Sequence, residues 1–190
     1  PWTMPANQAI SVNPELDYSW VKVGDEAWLL ANGLIETATK EMGIESYEVL
    51  NTFKGSELEL ANFKHPFADR NAPILLGSHV TLDAGTGCVH TAPAHGEDDF
   101  NVVKAYKDAG KIDFDILSLV DATGRYIAKV DEPRYGDTEQ PLAGVEIHDA
   151  EVPVIKILAH NGALVQKGNI RHQYAHCWRC KNPVIYRATE

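Results

Sequence analysis

What most limits the fold of this chain is how its β-forming runs are broken up. Tyr18 to Val23, Tyr47 to Phe53, His79 to Leu82 and Cys88 to Thr91 are short, rich in β-branched and aromatic residues, and punctuated by Gly, Pro and Asn. Three helices can be read among them. One spans about Gly33 to Met42 and stops at Gly43, a natural residue beyond a helix end. Another runs from Gly96 through Glu97, Asp98 and Asp99 to Ala109, with acids in its first turn and Gly110 after it. The third covers Ala150 to His160, with Val154, Ile155 and Leu158 at core-facing spacing and Gly162 beyond. Strands that outnumber helices without regular alternation exclude a doubly wound parallel sheet. The expectation is a mixed α and β fold with a β-barrel-like core, closed or nearly closed, decorated by helices. Val120 to Gly144, rich in Gly, Pro and charge, reads as a long surface excursion or hairpin.

With 190 residues the chain can bury one compact core. No apolar run approaches the roughly 20 residues of a membrane-spanning helix. Pro1-Trp2-Thr3 opens with neither an initiator Met nor the basic segment of a signal peptide, as expected of a piece of a longer protein. Cys88, Cys177 and Cys180 are too few and too uneven for a disulfide framework, so reduced thiols and a cytoplasmic location are expected. A net charge of −10 argues against autonomous binding to a nucleic-acid backbone. From Leu164 to Glu190, however, Lys167, Arg171, Arg179, Lys181 and Arg187 face the single acid Glu190. That basic end fits either one local phosphate contact or a solvated tail.

The densest candidate site is the run from Gly85 to Phe100, which reads Gly85-Thr86-Gly87-Cys88-Val89-His90-Thr91-Ala92-Pro93-Ala94-His95-Gly96-Glu97-Asp98-Asp99-Phe100. It is a glycine turn, a short strand, a proline-marked loop and a helix start loaded with carboxylates. Strand alternation places Cys88 and His90 on one face, Val89 and Thr91 on the other. The helix dipole favours ionised carboxylates at the start, and a carboxylate beside a histidine makes a socket for a substrate ammonium; a capped surface helix with a satisfied histidine is the plainer alternative. His90 stands where a dinucleotide fingerprint needs its third Gly, so that reading fails. Cys88 and His90 point alike rather than at each other, which disfavours a nucleophilic thiol. His95-Gly96-Glu97 with Cys177-Trp178-Arg179-Cys180 partly matches a zinc nucleobase deaminase, although His176 replaces the expected Pro. Cys177 and Cys180 are half of a tetrahedral zinc site, with His172 and His176 nearby.

Pro1-Trp2-Thr3-Met4-Pro5-Ala6-Asn7, the Gly85 to Phe100 block, and His176-Cys177-Trp178-Arg179-Cys180-Lys181 followed by Pro183-Val184-Ile185-Tyr186-Arg187-Ala188-Thr189 together resemble, in order and spacing, the editing insertion of isoleucyl-tRNA synthetases. The valyl and leucyl enzymes share that insertion but typically read P-E-T or P-D-T where this chain has Pro1-Trp2-Thr3. The resemblance implies a monomeric domain, residues 1–175, that hydrolyses mischarged valine from the 3′ end of isoleucine tRNA. Residues 176–190 would begin the return to the rest of the synthetase. It implies Asp99, Thr3 and His90 as the catalytic set: Asp99 holds the α-ammonium, His90 lies against the amino-acid side chain, and Thr3 lines the pocket. Ala92 and His95 would be substrate-binding neighbours on the loop. No cofactor is implied for hydrolysis, and zinc at Cys177 and Cys180 is implied for the full-length enzyme. The family's threonine-rich string and partner C-x-x-C lie upstream of the region matched by Pro1. A catalytically silent module that binds the tRNA end, or the amino acid, is the competing expectation.

Overall fold

A computed structural model describes residues 1–136, 141–169 and 173–188. Seven strands and four helices follow in chain order among them: β1 (Ala9–Val12), β2 (Asp17–Val23), β3 (Glu26–Ala31), α1 (Ile35–Glu41), β4 (Glu48–Lys54), β5 (Asn62–Lys64), β6 (Asn71–Leu76), β7 (Val89–Thr91), α2 (Glu97–Asp108), α3 (Pro133–Gly136) and α4 (Glu151–His160). The three helices read from sequence are α1, α2 and α4, and Gly43, Gly110 and Gly162 beyond their ends all take positive φ. None of the described helices is long and apolar enough to cross a membrane.

The mixed architecture stands, but the strands do not close into a barrel. They form two sheets, ordered β5-β6-β1-β7 and β3-β2-β4. Closure demands strands long enough to stagger around an axis; the edge strands β5 and β7 have three residues each. The two sheets share a core of Val12, Tyr18, Ala31, Leu34, Leu58 and Ile74. On the other face of the first sheet, α2 buries Val103 and Tyr106 against Ala9 and Leu75. Similarly, Ile35 of α1 packs on Val21 and Leu30. His79 to Leu82 is not a strand: the chain turns after β6, with Val80 N–H donating to Gly77 O at 3.3 Å. Gly87 is obligatory where the next segment crosses β3, since its φ is +76° and an added Cβ would lie 2.4 Å from the Ala31 Cβ.

The described part of Val120 to Gly144 is no surface excursion, although its start does fold back as a short hairpin, with Val120 paired antiparallel to Tyr126. Val120, Tyr126, Val130 and Leu142 join Leu119, Ile147, Ala150 and Val154 in a second core, closed by Ala6 and Phe67 from the sheet body. Its polar residues build turns: Asp121 Oδ1 accepts from the Thr123 and Arg125 N–H groups, and the Asp131 carboxylate accepts from those of Leu142 and Ala143. Leu142 is 1% exposed, so Leu142→Ala is expected to destabilise the fold by about 2–5 kcal/mol. Denaturant unfolding checks this; a loss under about 0.5 kcal/mol is what an excursion on the surface would show.

Candidate functional site

The 3-10 turn Met4–Ala6 enters β1, and β1 pairs antiparallel with β7 so that Ile10 lies opposite His90. This register brings the N-terminal motif to the histidine. Asn7 Nδ2 donates to Ala9 O at 2.9 Å, which fixes the amide, and reaches His90 Nδ1 at 2.6 Å. Nδ1 is therefore the acceptor, and His90 Nε2–H donates to Thr3 Oγ1 at 2.9 Å. Burial pulls the His90 pKa down to about 4. Its ring is neutral and fixed in orientation at pH 7.

Asp99 and His90 are brought to the same loop but not into contact. Of the adjacent pair, Asp98 is exposed and Asp99 turns inward. Asp99 Oδ2 accepts the Ala92 N–H at 2.8 Å, bridging from the first turn of α2 back to the end of β7. Gly96 makes room, since a Cβ there would lie 2.8 Å from that oxygen. Burial raises the Asp99 pKa, opposed by the Ala92 N–H and the field of His79. Ala92 contributes backbone: its side chain is 1% exposed. His95 stands apart, its ring edge-on to Trp2 at 4.7 Å and Nδ1 3.0 Å from Tyr186 O, so it donates to that carbonyl. Ala94 O accepts the Ala188 N–H at 2.7 Å, and Ile185 packs against the second core. The end of the chain thereby closes one side of an open cleft of about 370 Å³ between His95, Phe100 and Tyr186.

Three residues join the site that the sequence motifs did not single out for it. Asn7 closes the N-terminal motif Pro1 to Asn7 and is 2% exposed. His79 had no such signal; its ring packs over Gly77 and its field reaches Asp99. His65, 2% exposed, donates from Nε2 to Met4 O at 2.9 Å and accepts at Nδ1 from the Ala68 and Phe67 N–H groups.

Cys88 is no nucleophile here: it donates to Leu29 O, and burial pushes its thiol up to about 12. Cys177 and Cys180 form a knuckle in which the Cys180 and Arg179 N–H groups donate to the Cys177 sulfur, holding its pKa below the ordinary value. They fit two of the four ligands a structural zinc needs. Among the described residues no three His, Cys, Asp or Glu side chains are grouped to hold a metal, which leaves the deaminase arrangement of His95 with both cysteines unassembled. His172, Arg171 and Glu190 lie outside the described residues.

His65 and His90 also predict an acid transition. Burial lowers their pKa values from 6.5 to about 3 and about 4. Below about pH 6.5 the unfolded chain binds protons that the folded chain refuses, so stability falls as pH falls, by about 1.4 kcal/mol per unit for each histidine until its folded pKa is reached. Melting curves at pH 7, 6 and 5 should drop steadily; a flat series would mean the imidazoles are not held neutral.

The family model for the editing domain of leucyl-tRNA synthetase matches residues 30–129. An isoleucine–tRNA ligase of Brevibacillus brevis is 51% identical over the whole chain, and one of Kosmotoga olearia is 47% identical. The chain spans 19% of each of these relatives. In fold it is similar to the crystal structure of GlLeuRS-CP1, with a TM-score of 0.69, 16% identity and 90% of this chain matched to 82% of that one. The editing domain of the Plasmodium knowlesi cytosolic leucyl-tRNA synthetase (P.knowlesi) gives a TM-score of 0.57 at 13% identity, over 86% of this chain and 80% of that one. The family model spans more than half of the chain, and the chain belongs to the family of aminoacyl-tRNA synthetase editing domains.

Proposed function

We propose that this chain is the editing site of a cytoplasmic isoleucine–tRNA ligase and hydrolyses valine from the 3′ end of mischarged isoleucine tRNA. The observation that carries the reading is the His90 ring, held rigid and uncharged at both nitrogens by Thr3 and Asn7, which suits it to lie as a wall against the amino-acid side chain. A pocket shaped for isoleucine rejects the smaller valine weakly, because one methylene is worth only about 1–3 kcal/mol, a limit for which this pair of amino acids is itself the usual example. A second pocket that admits valine and stops isoleucine removes the error. Asp99 Oδ2 is occupied by Ala92, and Oδ1 makes no hydrogen bond among the described residues, which leaves an oxygen for the α-ammonium. A positioned water then attacks the ester carbonyl, and the terminal ribose oxygen leaves with a proton. Orientation does most of the work, and no covalent nucleophile is required.

The net charge of −10 assigns most of the tRNA contact to the rest of the synthetase. Cys177 and Cys180 would supply two zinc ligands, with the others coming from outside the described residues. The test is deacylation by the full-length ligase of isoleucine tRNA charged with valine or with isoleucine. Fast release of valine with isoleucine spared supports the reading; binding without release is the outcome of a silent module and overturns it.

A further inference from the structure

The His90 ring is held by a turn whose own hydrogen bonds run out at its far end. In the 3-10 segment Met4–Ala6 the carbonyl of Pro5 would ordinarily accept the N–H of Gln8. That N–H is instead taken by Thr91 O at 3.0 Å, as the chain pairs with the end of β7. Pro5 O and Asn7 O therefore need donors from elsewhere.

Arg70 supplies them. It stands between the turn after β5 and the start of β6, where its N–H donates to Ala68 O at 2.9 Å and its O accepts from the His65 N–H at 3.0 Å. Its Nη2 donates to Pro5 O at 2.5 Å and to Asn7 O at 2.8 Å, and Nε to Asn7 O at 3.1 Å. The other arm, Nη1, reaches Arg134 O at 3.1 Å and Tyr135 O at 3.5 Å in α3. Every one of these acceptors is a backbone carbonyl, and no carboxylate pairs with Arg70 among the described residues. A half-buried cation without an anion is costly, so the five-donor planar fork must be serving several segments at once, which a lysine could not do.

We propose that Arg70 is a positioning residue for the His90 ring: it ties the turn bearing Thr3 and Asn7 to α3 and so sets where the hydroxyl and amide meet the imidazole. His65 is the auxiliary hold, donating to Met4 O at 2.9 Å on the same turn. Together the two residues take the carbonyls of Met4, Pro5 and Asn7, and the two bonds to His90 depend on where that turn lies. The specificity of the pocket is then decided partly by α3, through carbonyls that touch neither His90 nor Asp99.

The effect on valine release rests on the editing reading above, but the effect on His90 does not. In the full-length ligase with isotopically labelled histidine, the His90 ring nitrogens are assigned with a His90→Gln control and followed by NMR in Arg70→Lys. The expected result is loss of the Nδ1-acceptor signature, a His90 titration moved up toward that of an ordinary histidine, and kcat for valyl-tRNA deacylation reduced at least tenfold with KM changed less than threefold. His65→Gln should shift the same signals less, and it decides the matter by the same readouts if Arg70→Lys does not fold. A folded variant with an unchanged His90 signature overturns the proposal. A shifted His90 with valine release undiminished keeps the positioning role and removes editing from this pocket.

Discussion

On the proposed editing function, Asp99→Asn in the full-length protein is expected to lower kcat/KM for valyl-tRNA deacylation by roughly ten- to a hundredfold, the effect of about 1.5–3 kcal/mol lost with a charge-assisted contact. Asparagine keeps an oxygen for the Ala92 N–H, so the bridge from α2 to the end of β7 survives while the charge facing the ammonium does not. Asp99→Ala removes both, and should add loop disorder to the loss. The site can hold this carboxylate because it lies in the first turn of α2, where the helix dipole offsets part of the cost of burial that raises its pKa. Equal affinity of wild type and Asp99→Asn for a non-hydrolysable valyl-adenosine analogue would show that the ammonium is held elsewhere. Acidification should mimic the substitution, with activity falling as Asp99 takes up a proton, at a pH above the ordinary carboxylate range.

His90→Ala is expected to act on selectivity rather than on rate. Discrimination between valyl and isoleucyl esters, set in the proposed second sieve by exclusion of the larger side chain, should fall toward unity. Correctly charged isoleucine tRNA would then be deacylated and the yield of the charging reaction would drop. The side chain suits this role because it cannot retreat. Thr3 holds one nitrogen at 2.9 Å and Asn7 the other at 2.6 Å. A more mobile ring would let the larger amino acid push it aside. Sparing of isoleucine tRNA by the variant, with valine release normal, would make His90 a structural residue only.

How much was readable in advance follows from whether each signal was local. α1, α2 and α4 were legible because periodic apolar residues and a terminal glycine act within one or two turns of chain. The carboxylates at the α2 start were legible for the same reason, as was the short strand bearing His90. The residue roles within that block came from family resemblance, which encodes contacts the local pattern does not. Non-local pairing decided the rest. Whether short strands close a barrel or split into two sheets depends on which edges meet, and β1 joining β6 in parallel across more than 60 residues leaves no periodic mark. Val120 to Gly144 looked polar because its carboxylates and glycines make turns, and the apolar residues between them fall at irregular spacing that only the second lobe gathers into a core. Arg70 and His65 belong to none of the motifs read from the sequence. They became part of the site only because the tertiary fold set carbonyls of the N-terminal turn beside them, those of Pro5 and Asn7 at Arg70 and that of Met4 at His65. The sequence alone thus determined the local elements and the chemistry they carry. Tertiary structure decided which distant backbone groups lacked partners, and therefore which side chains hold the pocket in shape.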